Sequence, residues 1–223
     1  MHIPYWKKWT SYLTELSLET TSSPYNSHLE VSLKRGRLML STRNAIYSYS
    51  DKYDNFGKAF KKMDLNGVKE VLLLGFGLGS IPYILEKVEH CDFSYTGVEI
   101  DEEVIYLASK YVLPDLNSDI NLVTSDAITF LTLDQNRYDL IAMDIFESDY
   151  IPQQFETESY LRGLEEHLSA DGVIMYNRLA YTDQDVKKSL AFYNDVFKKV
   201  FPDSEYLTIK GNMMLFNRKD VLK

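Results

Sequence analysis

A glycine-rich segment follows the first long apolar stretch of the sequence. The run VLLL at residues 71–74 leads directly into GFGLGS at residues 75–80. Glycines such as Gly75, Gly77 and Gly79 permit a tight turn and let the backbone approach a ligand closely. A helix that begins just after such a turn adds free N–H groups and a partial positive charge. The segment therefore predicts a ligand-binding turn, with a tight turn that holds no ligand as the alternative.

An acidic residue, Glu99, ends the next strand pattern, 24 residues after Gly75. An acid about 20 residues beyond such glycines holds the ribose hydroxyls of adenosine-containing ligands. Because one carboxylate can accept hydrogen bonds from both hydroxyls of a diol, we predict that Glu99 binds ribose. The alternative is a solvated acid at a strand end. Asp101 is predicted instead to cap the helix that follows.

Asp126 lies in the segment Ser-Asp-Ala at residues 125–127, after a third strand pattern at residues 121–124. An acid at this position can accept a hydrogen bond from the exocyclic amine of adenine. A cap at the start of the next helix is equally compatible with the sequence, so both roles stay open.

Three carboxylates follow the fourth strand pattern, which covers residues 138–144. Asp144 closes this strand, and Glu147, Asp149 and the aromatic Tyr150 follow it. Neighbouring carboxylates raise one another's pKa unless a cation relieves the repulsion, so the cluster favours a cationic ligand with Asp144 low in the cleft. A solvated acidic loop is the alternative, and it fits Asp149 better than Asp144. The histidines show no metal-ligand spacing with Cys91 or with acidic residues, so no metal site is predicted.

All of these segments follow strands, in a region where strand and helix patterns alternate from residue 68 onward. Such alternation is typical of an α/β fold, with a mainly parallel sheet and helices on both faces. A hairpin predicted at residues 205–209 and 213–216 adds an antiparallel edge. Ligands of such sheets bind at the carboxyl ends of the strands, near the point where the strand order reverses.

The first 54 residues have a different pattern. Alternating apolar and polar residues at 12–18, 28–33 and 38–41 predict a small meander of short β-strands. Aromatic residues three to four positions apart between Tyr47 and Phe60 predict a helix that leads into the second part. We therefore divide the chain into a small β-strand region at residues 1–54 and a nucleoside-binding domain at residues 55–223.

The composition of the 223-residue chain excludes several classes of protein. With 24 Lys and Arg against 33 Asp and Glu, the net charge is -9, which argues against non-specific nucleic-acid binding. No run of 18 apolar residues is present, so no membrane-spanning helix is predicted. The single cysteine excludes an internal disulfide and, with no secretion signal at the start, favours the cytoplasm.

The segments VLLLGFGLGS, GVEID, SDA and YDLIAMD, in this order and spacing, resemble the S-adenosylmethionine-dependent methyltransferase superfamily. Within it, the chain is most similar to the spermidine synthase (aminopropyltransferase) group. The N-terminal strand pattern, the segment VEIDEEVIYLASKY and the segment that begins DIFESDYIPQQF support this similarity. The resemblance implies a Rossmann-like class I methyltransferase fold with a seven-stranded sheet. It also implies a group donor that is S-adenosylmethionine or its decarboxylated form, with no metal.

The resemblance further implies roles for the residues at the strand ends. Gly75, Gly77 and Gly79 would line the nucleoside. Glu99 would hold the ribose, and Asp126 would contact the adenine.

For the chemistry, the resemblance implies that Asp144 is the catalytic acidic residue and faces the amine that attacks the donor. Glu147, Asp149 and Tyr150, in the same loop, would contact this small-molecule amine acceptor. An aminopropyl group would then pass from the decarboxylated donor to the acceptor.

Two positions depart from the families that the chain resembles. Spermidine synthases usually have an acid where this chain has Leu78, and many methyltransferases have one where it has Leu73; both acids help to hold an amino group of the ligand. Two alternatives therefore stay open, a small-molecule methyltransferase and a non-catalytic nucleoside-binding homologue. A homodimer would cover the exposed strands of the N-terminal meander.

Overall fold

The computed structural model describes residues 3–43, 46–52, 54–147 and 150–223. Its strands are β1 (Leu16–Thr21), β2 (Leu29–Lys34), β3 (Arg37–Ser41), β4 (Ile46–Ser48), β5 (Glu70–Leu74), β6 (Ser94–Glu99), β7 (Ile120–Thr124), β8 (Tyr138–Met143), β9 (Leu168–Leu179), β10 (Glu205–Ile209) and β11 (Asn212–Phe216). Its α-helices are α1 (Tyr5–Thr10), α2 (Asp54–Phe60), α3 (Ser80–Lys87), α4 (Glu102–Tyr111), α5 (Ala127–Leu133), α6 (Glu158–Glu166), α7 (Asp183–Phe192) and α8 (Lys198–Val200). A π-helical turn joins α7 to α8, and short 3-10 helices lie at Ser50–Lys52, Leu113–Asp115, Gln153–Phe155 and Lys219–Val221.

Two sheets are formed by this part of the chain. The larger has seven strands in the order β10-β11-β9-β8-β5-β6-β7, and the smaller has four in the order β1-β2-β3-β4. The strands from β5 to β9 pair in parallel, whereas β10 and β11 form an antiparallel hairpin that pairs with β9. This topology confirms the predicted α/β fold, its mainly parallel sheet and its C-terminal hairpin.

The central strand β5 is apolar from Val71 to Leu74 because both of its faces are covered there. Leu73 is buried in one hydrophobic core, whereas Leu72 and Leu74 are buried in a second core on the opposite face of the sheet. Successive side chains of a strand alternate between faces, so a continuous run of leucines suits a sheet with helices on both sides. Each fully buried leucine contributes about 1.5–3 kcal/mol relative to an exposed one.

The smaller sheet shares the first of these cores with the larger sheet. Leu29, Val31 and Leu40 of the smaller sheet are buried in the same apolar cluster as Phe56 and Ile81. The predicted division of the chain at residue 54 stays a prediction, but the regions on its two sides pack around one core.

Polar contacts also join the smaller sheet to the helices that follow β5 and β6. Ser23 Oγ and Asn26 Nδ2 donate hydrogen bonds to Asp101 Oδ2 at 2.5 and 2.9 Å, just before α4. Ser48 Oγ and Ser80 Oγ lie 2.6 Å apart at the start of α3. The smaller sheet is thereby held close to the carboxyl ends of these two strands.

The strand predicted at residues 12–18 begins later than expected. β1 begins only at Leu16, because α1 and a turn precede it. α1 has no buried residue and exposes large aromatic side chains, among them Tyr5, Trp6 and Trp9. No described helix is long and apolar enough to cross a bilayer.

β1 and β4 are the outer strands of the smaller sheet, and the predicted homodimer stays a prediction.

The helix predicted from Tyr47 to Phe60 is only partly present. Tyr47 belongs to β4, which pairs with β3 through Ser48 and Leu40. The helix α2 covers the second half of the predicted span and places Phe56 and Phe60 one turn apart, both buried. Before α2, Tyr47 is in β4, a 3-10 helix covers Ser50–Lys52, and Tyr53 of the predicted helix lies outside the described residues.

The prediction that follows from this packing concerns Gly97, which lies in the middle of β6 and has no room for a side chain. A Cβ atom at this position would overlap the ring of Phe76 and lie 2.7 Å from Leu122 Cδ2. We expect Gly97→Ala to lower the free energy of unfolding by about 1–3 kcal/mol, because buried side chains must shift. Urea unfolding followed by circular dichroism measures this change.

The matched control is Gly163→Ala in α6, where an added Cβ meets nothing within 4 Å. Alanine is the better helix former, so this variant should keep or raise the free energy of unfolding, by up to about 1 kcal/mol. Equal values for the two variants would contradict the packing described for Gly97.

Candidate functional site

The strand order places the candidate site at the carboxyl end of β5. From β5 the chain continues to β6 on one side, and it later returns to β8 on the other side. Such a reversal opens a crevice between the loops that leave the strands, and ligands of open α/β sheets bind there. The loops after β5, β6 and β8 hold most of the residues that the sequence singled out.

The glycine-rich turn that follows β5 is held by hydrogen bonds to β6. The N–H groups of Gly75 and Phe76 both donate to the carbonyl oxygen of Val98, at 3.0 and 3.2 Å. Gly75, Gly77 and Gly79 have φ values of 85°, 54° and 80°, in the left-handed region that glycine adopts most easily.

Gly75 also allows the turn to lie against the loop that follows β8. A Cβ atom at Gly75 would lie 2.5 Å from the carbonyl oxygen of Asp144. The glycines are therefore needed for the turn itself, and this requirement holds with or without a ligand. Their contact with a nucleoside stays a prediction.

Leu73 and Leu78, the two positions that depart from the resemblance described above, both lie in the core. Their side chains are 1% and 2% exposed, and both belong to the apolar cluster that the two sheets share. An amino group of a ligand would therefore have to be held by other residues.

Glu99 lies between the glycine-rich turn and the start of α4. Its Oε2 accepts a hydrogen bond from the N–H of Gly77 at 3.0 Å, and its Oε1 accepts from the N–H groups of Ile100 and Asp101 at 3.0 and 3.3 Å. Burial raises the pKa of Glu99, the charge of Asp101 acts in the same direction, and the three N–H donors lower it. The structure thus places Glu99 at the edge where the sequence predicts it, and its contact with ribose stays a prediction.

The two aspartates near the helix starts act as N-caps. Asp101 Oδ1 accepts from the N–H of Glu103 at 3.1 Å, which confirms its predicted capping role. Asp126 Oδ1 accepts from the N–H groups of Ile128 and Thr129 at 2.9 and 3.1 Å, at the start of α5. Of the two roles left open for Asp126, the cap is present in the structure, and the adenine contact stays a prediction.

Asp144 stands at the carboxyl end of β8, directly beside the end of β5. Its N–H donates to the carbonyl oxygen of Leu74 at 2.8 Å. Its Oδ1 accepts a hydrogen bond from Asn177 Nδ2 at 2.8 Å, and Asn177 Oδ1 accepts from Asn212 Nδ2 at 2.9 Å.

Sequence reasoning missed both asparagines. A signal for Asn177 was present, because it is the first polar residue after the apolar run VIMY at residues 173–176. No comparable signal marks Asn212, whose relation to Asn177 depends on the pairing of β9 with β11.

The loop after β8 brings two further predicted residues to the surface. The N–H of Glu147 donates to the carbonyl oxygen of Tyr150 at 2.9 Å, and the N–H of Tyr150 returns a bond to Glu147 at 3.2 Å. Both side chains are exposed. Asp149, the third predicted member of this loop, lies outside the described residues. Contact of this loop with an acceptor stays a prediction.

The smaller sheet contributes Tyr47 to the same surroundings. Tyr47 Oη donates to Asn26 Oδ1 at 2.9 Å. Burial raises the pKa of the Tyr47 hydroxyl, and the nearby carboxylates of Glu99, Asp101 and Glu147 raise it further. The edge is therefore rich in carboxylates, and such surroundings favour a cationic ligand. In the described part of the chain, no group of three or more His, Cys, Asp or Glu residues is arranged to hold a metal ion.

Comparisons with known proteins show which family this sequence and fold are similar to. The sequence model of the spermine/spermidine synthase domain matches residues 51–217. A probable polyamine aminopropyl transferase of Bifidobacterium longum is 29% identical over 143 residues, which cover 64% of this chain and 31% of that protein. The polyamine aminopropyltransferase of Vibrio vulnificus is 29% identical over 139 residues, which cover 60% of this chain and 45% of that protein. The matched part is thus less than half the length of these two relatives.

A crystal structure of a probable spermidine synthase from Corynebacterium glutamicum superposes with a TM-score of 0.69 at 18% identity, covering 89% of this chain and 78% of that chain. At this identity the likeness concerns the fold alone, and it confirms the predicted Rossmann-like architecture. The matching sequence model covers well over half of the residues, from 51 to 217. The chain therefore belongs to the spermine/spermidine synthase domain family.

Proposed function

We propose that the chain binds decarboxylated S-adenosylmethionine, or S-adenosylmethionine itself, at the edge formed by β5, β6 and β8, and transfers an aminopropyl group to a small amine. The observation that most supports this proposal is the placement of Glu99 and Asp144 on opposite sides of the glycine-rich turn. Glu99 stands where a ribose-binding acid is expected, and Asp144 stands where an acid would face the reacting groups. The family to which the chain belongs supports the same activity.

The charges at this edge suit two cationic reactants. A sulfonium group and a protonated amine about 4 Å apart repel each other by about 4 kcal/mol at an effective dielectric constant of about 20. Carboxylates at the same edge offset this repulsion. Asp144 and Glu147 follow β8, and Glu99 ends β6, so negative charge lies on both sides of the crevice.

In the proposed reaction, the nitrogen of a neutral amine forms a bond to the aminopropyl carbon next to sulfur. The carbon–sulfur bond breaks, sulfur keeps the electron pair and leaves as methylthioadenosine, and the amine loses a proton. An ordinary aspartate, with a pKa of about 3.9, is a weak base for this proton. The larger contribution of Asp144 is therefore to align the amine and to stabilise positive charge.

Methyl transfer from S-adenosylmethionine is the second candidate, and Leu78 favours it. The side chain of Leu78 is buried in the core at the position where spermidine synthases usually hold the aminopropyl nitrogen with an acid. A non-catalytic nucleoside-binding role is the third candidate, because Leu73 removes the other usual anchor as well.

Calorimetric titration of the purified protein with the two donors and with methylthioadenosine distinguishes these candidates. Tighter binding of the decarboxylated donor, followed by aminopropyl transfer to diamines, supports the proposal. Tighter binding of S-adenosylmethionine favours methyl transfer. Binding of none of the three overturns both transferase proposals.

A first prediction concerns the ribose contact of Glu99. Glutamine at this position keeps one acceptor oxygen, which can face the N–H of Gly77, while its NH₂ group then faces the N–H groups of Ile100 and Asp101. Glu99→Gln therefore removes the charge together with the hydrogen bonds from Ile100 and Asp101. We expect the dissociation constant for methylthioadenosine to rise about 30-fold, or about 2 kcal/mol, because charge-assisted hydrogen bonds to the diol are lost. Glu102→Gln, at an exposed position in the first turn of α4, is the control. An unchanged constant in Glu99→Gln would remove Glu99 from the site.

A second prediction concerns the pH dependence of this binding. Only the ionised carboxylate accepts from both ribose hydroxyls, so affinity is full above the pKa of Glu99 and is lost as the pH falls through it. Because burial raises this pKa above its ordinary value of 4.5, the loss begins at a higher pH than for an exposed glutamate. Titrations with methylthioadenosine over a pH series measure the effect. The Glu99→Gln variant should show no such dependence, and a pH-independent affinity of the unaltered protein would contradict the prediction.

A third prediction concerns catalysis. We expect Asp144→Asn to abolish measurable turnover, a loss of about 100-fold or more, while methylthioadenosine binding survives. Asp139→Asn is the matched control, because Asp139 lies at the opposite end of the same strand and binds backbone N–H groups there. Turnover of Asp144→Asn near that of the unaltered protein would show that the catalytic assignment is wrong.

A further inference from the structure

Two asparagine side chains from neighbouring strands connect Asp144 to the C-terminal hairpin. Asn177 Nδ2 lies 2.8 Å from Asp144 Oδ1, and Asn212 Nδ2 lies 2.9 Å from Asn177 Oδ1. These bonds form a continuous chain from β11 through β9 to the end of β8.

The sheet register produces this chain. β8 and β9 pair through Met143 and Tyr176, so Asp144 and Asn177, each one residue further along, lie side by side. In the pairing of β9 with β11, Asn212 lies two residues from the direct partner of Asn177. Diagonal neighbours of this kind lie on the same face of a sheet and are within reach of each other's side chains.

The carboxylate of Asp144 determines which end of the Asn177 amide faces it. An asparagine amide can present either an oxygen acceptor or an NH₂ donor, and an ionised carboxylate can only accept. The NH₂ group of Asn177 therefore points toward Asp144, and Asn177 Oδ1 accepts from the NH₂ group of Asn212. Without Asn212, Asn177 Oδ1 would lose this hydrogen bond, and the amide would be held less firmly.

The burial of Asn177 is a reason to look for a role of its hydrogen bond to Asp144. Asn177 is 1% exposed and directly follows four buried residues of β9, Val173 to Tyr176. A buried amide costs free energy unless its polar atoms are paired, and an apolar residue of similar volume would avoid this cost. Here the amide oxygen and the amide nitrogen each have a partner.

We propose that Asn177, supported by a hydrogen bond from Asn212, is a positioning residue for Asp144. Its amide holds one carboxylate oxygen, which fixes the direction in which the carboxylate faces the attacking amine. Asn177 itself does not contact the reacting atoms. This inference rests on the proposed function, because it assigns a role in the same transfer step.

The test compares three Asn→Leu variants in steady-state assays of group transfer. We expect Asn177→Leu to lower kcat by about 10- to 100-fold, because a charge-assisted hydrogen bond that aligns Asp144 is lost. The KM for the donor and the dissociation constant for methylthioadenosine should stay within about twofold, because Asn177 does not reach the nucleoside. Asn212→Leu should lower kcat by a smaller factor, about 3- to 10-fold, because Asn177 still donates to Asp144 but is held less firmly.

Asn217→Leu is the matched control. Asn217 also bonds to β9, through the N–H of Ile174 at 2.8 Å and the carbonyl oxygen of Gly172 at 3.3 Å, but in the middle of the strand and away from Asp144. It should lower the melting temperature and leave kcat unchanged. If Asn177→Leu does not fold, the comparison of kcat between Asn212→Leu and Asn217→Leu tests the same inference.

The outcomes separate this inference from the proposed function. If the unaltered protein transfers a group and Asn177→Leu and Asn212→Leu keep the kcat of Asn217→Leu, the positioning role is wrong and the proposed function stands. A rise in donor KM with unchanged kcat would also overturn it, because it would make Asn177 a binding residue. If the unaltered protein transfers no group to any acceptor, the proposed function fails and the positioning role fails with it.

Discussion

The parallel pairing of β5 with β6 on one side and β8 on the other is the constraint on which the candidate site depends. Hydrogen bonds from the turn after β5 to Val98, and from Asp144 to Leu74, fix the point at which each strand ends. The loops therefore leave the sheet at one level and face a common crevice. The close approach between Asp144 and the turn leaves room for no side chain at residue 75, so glycine is needed there for packing alone.

The electrostatics of this edge make the same region costly for folding. Burial raises the pKa of Glu99, because the charged carboxylate is less stable inside the folded chain than in water. Three backbone N–H groups offset part of this cost by donating to the carboxylate. Groups with pKa values shifted by burial occur often at functional sites, although structural networks produce such shifts as well. A bound cation near Glu99 and Asp101 would relieve their mutual repulsion, which agrees with a positively charged ligand.

Much of this arrangement could be predicted from the sequence, because it depends on local patterns. The apolar run at residues 71–74, the glycines after it and the acids at the ends of the next strands define the larger sheet and its ligand edge. Local sequence patterns did not predict the structure where contacts between distant segments determine it. The spacing of Tyr47 looks helical, yet pairing with β3 draws it into a strand. Asn212 gains its partner only when β11 aligns with β9, and no local pattern contains that register.

The core that the two sheets share determines how much of the chain must fold together. The family match begins at residue 51, after the last strand of the smaller sheet. A fragment that started there would lose Leu29, Val31 and Leu40, and would expose the apolar surfaces of Phe56 and Ile81 to water. It would also lose both side-chain donors from the smaller sheet to Asp101. The part of the chain that shares one core is therefore longer than the region that the family model matches, and that match alone would place its start too late.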